Sequence, residues 1–119
     1  MALGAVNDPY LLKRNDTRPR IRMYLRQGAG AGTPIDLTNA TAVVFNMRPA
    51  GSEVPKISRA DASIVTANAG LVQYTPTSSD TDTPGDFLAE FEITFSDGGV
   101  LTVPEGNDWI YITVGKDIA

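Results

Sequence analysis

The sequence contains no cysteine and no histidine. The lack of cysteine excludes disulfide bonds and thiolate chemistry, and the lack of histidine removes the commonest general base and the usual transition-metal ligand. We therefore predict that the protein is not an enzyme and needs no cofactor.

Long hydrophobic runs are also absent. The apolar pieces of residues 1–14 are short and are broken by Asp8-Pro9, which does not fit a signal peptide. No run approaches the roughly 20 apolar residues that a membrane-spanning helix needs. With 119 residues, of which 42% are hydrophobic and 20% charged, we expect one soluble globular domain made in the cytosol, with no membrane partner.

The charged residues are unevenly distributed. Residues 1–48 hold seven basic and three acidic side chains, whereas residues 49–119 hold three basic and eleven acidic ones. Such a division favours an electrostatic partner, which includes a second copy of the same chain in a head-to-tail contact.

Alternation of apolar and polar residues is the clearest pattern. From Phe87 to Phe95 every second residue is apolar, which predicts a strand with one face in a core. The same period predicts a strand over residues 19–26, with Ile21, Met23 and Leu25 inward. Val43, Phe45 and Met47 form the expected core face of a third strand.

Turn signals separate the other strands. Residues 97–99, Asp-Gly-Gly, predict a hairpin between the Phe87–Phe95 strand and residues 100–103. Residues 62–66, 71–74 and 109–114 are further predicted strands. Seven or eight short strands without a helical period favour an antiparallel β-sandwich over a barrel. Residues 1–18 show no sustained period, so we assign them to an extended N-terminal arm and residues 19–119 to the sandwich.

Three groups of residues could in principle form a chemical site. Asp80, Asp82 and Asp86 share a loop, but their spacing is typical of turns rather than of a calcium loop. Glu90 and Glu92 fall on one strand face, where two carboxylates are more often solvated than catalytic. The glycine-rich run at 28–32 lacks the helix that a phosphate loop requires. We predict no metal, cofactor or catalytic site from these groups.

The basic strand and the arm are the predicted contacts with a partner. The strand offers Arg20, Arg22, Tyr24 and Arg26 on one face, which suits acidic protein side chains. A sequence pI of about 4.6 and the lack of a nucleic-acid-binding motif disfavour nucleic acid. A solvated edge that discourages aggregation is the alternative. From the arm we expect contacts by Tyr10, Leu11, Leu12, Lys13 and Arg14.

A carbohydrate- or receptor-binding module is the main alternative function. Sugar platforms need exposed aromatic side chains, and the candidates are Tyr10, Tyr24, Tyr74, Trp109 and Tyr111. Alternation places Trp109 and Tyr111 on one face of their strand. A tryptophan in such a strand is more often in the core, which is the interpretation we expect here.

In their order, several segments resemble the phage baseplate upper protein N-terminal domain family. They are TPIDLTNATAVVFNMRPAG at 33–51, ANAGLVQYTP at 67–76, DTDTPGDFLAEFEITFSDGG at 80–99, and then TVP and WIYITV. The resemblance covers residues 19–114. Its motifs are turn formers and core positions, so it carries over no catalytic residues.

The resemblance implies an immunoglobulin-like β-sandwich that is a structural part of a tailed-phage virion, present in several copies and bound to other virion proteins. The chain departs from longer family members because it ends near the end of the domain and has an arm before the first strand. The resemblance implies no single position in the virion: baseplate, tail, head–tail connection and capsid decoration all stay open.

Overall fold

The computed structural model describes residues 10–26, 33–104 and 108–118, and these residues form nine β-strands. The strands are β1 (Tyr10–Lys13), β2 (Ile21–Tyr24), β3 (Ala40–Pro49), β4 (Ile57–Asp61), β5 (Ser63–Thr66), β6 (Leu71–Tyr74), β7 (Gly85–Phe95), β8 (Val100–Val103) and β9 (Ile110–Gly115). Within the described ranges the one helical element is a single 3-10 turn, Ala67–Ala69, and no helix there is long enough to cross a membrane.

The strands form two sheets. The larger sheet has the order β1-β9-β7-β3-β4, with β8 also paired to β7, and the smaller sheet has the order β2-β6-β5. The long strand β7 pairs with β3 along one side, while β9 and β8 share its other side. The all-β prediction is confirmed, and so is the predicted hairpin between β7 and β8.

The inner faces of the two sheets share one hydrophobic core. Phe45 of the larger sheet is fully buried and stacks on Tyr74 of the smaller one, with ring centroids 4.4 Å apart and planes at 8°. Phe91, the partner of Phe45 on β7, contacts the Phe45 ring edge-on, with ring centroids 5.1 Å apart. The predicted inward residues of β2, β3 and β7 are confirmed, with Phe95 only partly buried at the end of its strand.

One prediction about the strands is wrong: the arrangement is not purely antiparallel, because β1 pairs with β9 in parallel. Four residues that the sequence assigned to the arm, Tyr10–Lys13, form β1, and Leu12 of this strand lies in the core with 4% exposure. Residues 1–9 of the arm lie outside the described residues.

Strands β4 and β5 run almost without interruption from one sheet to the other. Asp61 ends β4 in the larger sheet, and after Ala62 the chain begins β5 in the smaller sheet. The Ala62 amide still donates to Val43 O at 2.9 Å. This crossing closes one long side of the molecule, and the β1 and β2 edges lie on the other.

Candidate interaction surface

The long side formed by β1 and β2 is the first candidate site. Both are edge strands, one in each sheet. The Tyr10 hydroxyl donates a hydrogen bond to Arg22 O of β2, which joins the two edges. Burial raises the pKa of the Tyr10 phenol, and the hydrogen bond to Arg22 O partly offsets this effect.

Strand β2 presents its basic residues outward because its apolar residues are held in the core. Ile21 and Met23 are each 1% exposed, which directs Arg20, Arg22 and Tyr24 to the outside, as the alternation predicted. Tyr24 is 52% exposed, and on β1 the Leu11 side chain is 67% exposed. Two large apolar side chains thus lie open among the cations.

Most cations on this side have no ionic partner among the described residues. The four ion pairs among the described residues use Arg14, Arg48, Lys56 and Arg59. Five exposed cations on or beside β1 and β2 take part in none of these pairs: Lys13, Arg18, Arg20, Arg22 and Lys116. Together with Leu11 and Tyr24 they define what we call the β1–β2 surface.

Three of the predicted contact residues have other roles. Leu12 points into the core, since alternation along β1 exposes Leu11 and Lys13 instead, and it is therefore not on the surface of this chain. Arg14 is paired with Asp117 at 2.7 Å. Arg26 is half-buried and forms an isolated β-bridge with Pro34.

A second candidate site lies on the outer face of the larger sheet. Ile110 is fully buried, so the strand alternation turns its neighbours Trp109 and Tyr111 outward, and the expectation of a core tryptophan is wrong. Trp109 is half-buried and Tyr111 is 38% exposed. The guanidinium carbon of Arg48 lies 5.9 Å from the centroid of the Trp109 ring.

A recess of about 180 Å³ lies beside Trp109. Its lining includes Asn46 of β3 and Glu90 of β7, which are opposite each other in the pairing of these two strands. Asn46 and Arg48 were not among the residues singled out in the sequence. Only the pairing of β3 with β7 brings them next to Glu90, and no local pattern reveals that register.

The three aspartates of residues 80–86 have separate partners. Asp80 accepts a hydrogen bond from the Tyr74 hydroxyl at 2.5 Å, Asp82 from Lys56 Nζ at 2.5 Å, and Asp86 from Thr113 Oγ1 at 2.9 Å. The hydrogen bond from Lys56, with a second one from Thr83, lowers the pKa of Asp82. Across the part of the chain that the structure describes, no group of three acidic side chains could hold a metal ion.

Glu90 and Glu92 lie on the same outer face, as predicted, but in different surroundings. Glu92 is paired with Arg59, whereas Glu90 accepts one long hydrogen bond, 3.4 Å, from Asn46 Nδ2. Both are half-buried rather than mainly solvated, because neighbouring strands flank β7 on each side. The glycine-rich run at 28–32 lies outside the described residues.

Tyr74 gives the fold a dependence on alkaline pH. Burial, and then the hydrogen bond to Asp80, raise the pKa of its phenol above the usual tyrosine value. The folded protein therefore keeps this proton at a pH where the unfolded chain releases it. We expect the contribution of Tyr74 to the free energy of unfolding to be fully present below about pH 10 and to be lost progressively above it.

The variant Tyr74→Phe keeps the stacking on Phe45 and removes the donor to Asp80. We expect the free energy of unfolding to fall by about 1.5–3 kcal/mol at pH 7, the range for a hydrogen bond to a charged group, and to decline less steeply above pH 10 than in the unmodified protein. Urea unfolding between pH 7 and 11 measures both. Tyr111→Phe, on the outer face of the larger sheet, is the control: its free energy of unfolding should decline above pH 10 as steeply as that of the unmodified protein. Equal slopes for Tyr74→Phe and the unmodified protein would contradict the assignment.

A scan of the sequence against protein-family models finds no match, and a comparison with curated proteins finds none. Family membership therefore stays a prediction from the ordered segments, and the functional argument depends on the two surfaces described above.

Proposed function

We propose that the protein is a non-enzymatic structural component of a tailed-phage virion and binds other virion proteins through the β1–β2 surface. The fold that we propose is an immunoglobulin-like sandwich, which agrees with two sheets sharing one core. The ordered resemblance supports the virion assignment. The observation that carries the binding function is a set of exposed cations around two open apolar side chains, with no ionic partner for these cations in residues 10–26, 33–104 and 108–118.

The composition of the β1–β2 surface suits an acidic protein partner. Arginine and tyrosine are enriched in the energetically dominant positions of protein interfaces, since they combine apolar area with directed hydrogen bonds. Arg22 lies in β2, whose backbone is fixed by pairing with β6, and Arg20 directly precedes the first residue of that strand, the buried Ile21. They therefore present two guanidinium groups from a rigid base, and each can bind a carboxylate with two parallel hydrogen bonds.

The double variant Arg20→Gln, Arg22→Gln tests this surface in the phage whose genome encodes the chain. With the gene deleted and supplied from a plasmid, we expect at least tenfold less of the variant in purified particles, because loss of about 1.4 kcal/mol of binding is a tenfold change. The measurement is the amount of the chain per particle by quantitative mass spectrometry.

Ser63→Glu, Thr66→Glu is the matched control. It makes the same change in net charge on the exposed strand β5, at the opposite long side, and should be incorporated normally. Both double variants should unfold at the temperature of the unmodified protein. Full incorporation of the arginine variant would overturn the role of this surface. Absence of the unmodified chain from particles would overturn the virion assignment itself.

A further inference from the structure

The recess beside Trp109 combines an aromatic wall with two opposite charges. Its walls are formed mainly by Asn46, Arg48, Pro55, Leu88, Glu90 and Trp109. At about 180 Å³ it is smaller than the roughly 300 Å³ at which pockets for drug-sized ligands begin, so it suits a single ring. The β1–β2 contacts do not involve any of these residues.

Arg48 is held in place at one wall. Its Nη1 donates to Ser52 O at 2.6 Å and lies 3.5 Å from a Glu53 carboxylate oxygen. These contacts tie Arg48 to the loop that also carries Pro55, so that the guanidinium and this loop form a fixed side of the recess. The position of Arg48 near the Trp109 ring is within the range of a cation–π contact.

Glu90 has acceptor capacity left over. A carboxylate can accept about four hydrogen bonds, and within the described residues Glu90 receives the one at 3.4 Å from Asn46, which is long for this type. Asn46 is itself oriented, because its Oδ1 accepts from the Arg59 amide at 2.7 Å. The half-buried Glu90 therefore faces the recess with oxygens free to accept from a ligand.

The chemistry of these walls selects the ligand. Glu90 repels an anion, Arg48 repels a cation, and an apolar ligand would remove both from water without replacing their hydrogen bonds. A hydroxyl group donates to Glu90 and accepts from Arg48, and the apolar face of a sugar ring can lie against the Trp109 indole. We propose that this recess binds one ring of a neutral saccharide.

A neighbouring recess extends the site. It has a volume of about 360 Å³, includes Tyr111 and Thr113, and shares Leu88 with the first. Trp109 and Tyr111 are two residues apart on the same face, which separates them by about 7 Å along the strand. A second sugar ring would lie beside Tyr111, so a disaccharide binds more tightly than its monosaccharide.

The single tryptophan of the chain makes the site directly observable. Fluorescence of Trp109 is titrated with glucose, galactose and N-acetylglucosamine, and then with maltose, lactose and chitobiose. At least one pair gives a saturable change, with the disaccharide binding more tightly. Lack of a saturable change with all six sugars, together with a glycan array without hits, overturns the proposal.

Two acidic residues of β7 provide the matched variants. Glu90→Gln removes the acceptor charge in the recess and weakens binding at least tenfold, the size expected for one hydrogen bond to a charged group. Glu92→Gln makes the same chemical change two residues along the same face, outside the recess, and leaves binding unchanged. Equal affinities of the two variants overturn the role of Glu90.

A third variant removes the aromatic wall itself. Trp109→Leu is expected to abolish saccharide binding, which is measured by calorimetry because this variant has no tryptophan fluorescence. Its circular dichroism spectrum should stay that of the folded protein, which excludes misfolding as the cause. Retained binding by this variant overturns the site. The saccharide site and the β1–β2 surface use different residues, so either can fail its test while the other stands.

Discussion

Replacing Phe45 with alanine is expected to lower the free energy of unfolding by about 3–5 kcal/mol, the usual range for removing a buried phenylalanine. Phe45 is fully buried and contacts aromatic rings of both sheets, Tyr74 by stacking and Phe91 edge-on. Its removal leaves a cavity between the sheets and breaks both ring contacts, each worth roughly 0.5–1.5 kcal/mol beyond the buried area. Urea unfolding, with a thermal melt lowered by more than about 10 °C, measures the loss.

The variant Phe95→Ala is the control that shows whether the loss of stability depends on the position of Phe45 between the sheets. Phe95 ends β7 and is only partly buried against the core, so its removal should cost about 1 kcal/mol. A total stability of 5–15 kcal/mol is typical of such domains, so the Phe45 variant would retain little of it. Similar losses for the two variants would show that the contact between Phe45 and Tyr74 does not hold the sheets together.

The second large effect is expected for Gly70→Ala. Gly70 follows the 3-10 turn with φ of +69°, a left-handed backbone that costs other residues about 1–2 kcal/mol. A Cβ atom at this position would lie 2.7 Å from Leu25 O and 2.8 Å from Ile35 O, both of them backbone atoms. The chain would have to move, which disturbs the hydrogen bond from the Leu25 amide to Gly70 O.

We expect a total loss of roughly 3 kcal/mol for Gly70→Ala, because about 1 kcal/mol for each disturbed hydrogen bond adds to the backbone term. Gly98→Ala is the matched control: its φ is +88°, and a Cβ atom there would have no neighbour within 4 Å. The difference between the two variants in urea unfolding therefore measures the steric contribution alone. If both lose the same stability, the close approach of the three backbone segments does not matter.

The sequence was sufficient to predict the buried residues of a strand where one face of that strand meets the core. The alternation of β7 placed Phe87, Ala89, Phe91 and Ile93 correctly because each is buried in the shared core. The turn ending at Gly70 and the hairpin at Gly98 could also be predicted, since glycine adopts the positive φ that both turns need.

Strands without such a pattern were missed. Residues 57–61, Ile-Ser-Arg-Ala-Asp, contain one buried apolar residue, so β4 exists mainly through its pairing with β3. Strand β1 is too short to show a period, and its parallel pairing with β9 depends on a contact between distant parts of the chain. Long-range pairings of this kind leave no trace in a local window of sequence.

The two candidate surfaces also differ in how far a local sequence pattern could predict them. The arginines of β2 could be predicted because each follows from the period of a single strand. The Trp109 recess could not, since it needs the register of β3, β7 and β9 together. The strand pattern alone also left undecided which face of Trp109 and Ile110 is buried, and the full burial of Ile110 decides it.

The parallel pairing of β1 with β9 determines how the domain would respond to tension. The chain enters β1 at Tyr10 and leaves β9 at Gly115, at opposite ends of the paired strands, whose register runs from Tyr10 beside Ile112 to Lys13 beside Gly115. A pull between the chain before Tyr10 and the chain after Gly115 therefore acts along the strands. The hydrogen bonds between them would be loaded together in shear rather than opened one at a time, which is the geometry that resists mechanical separation.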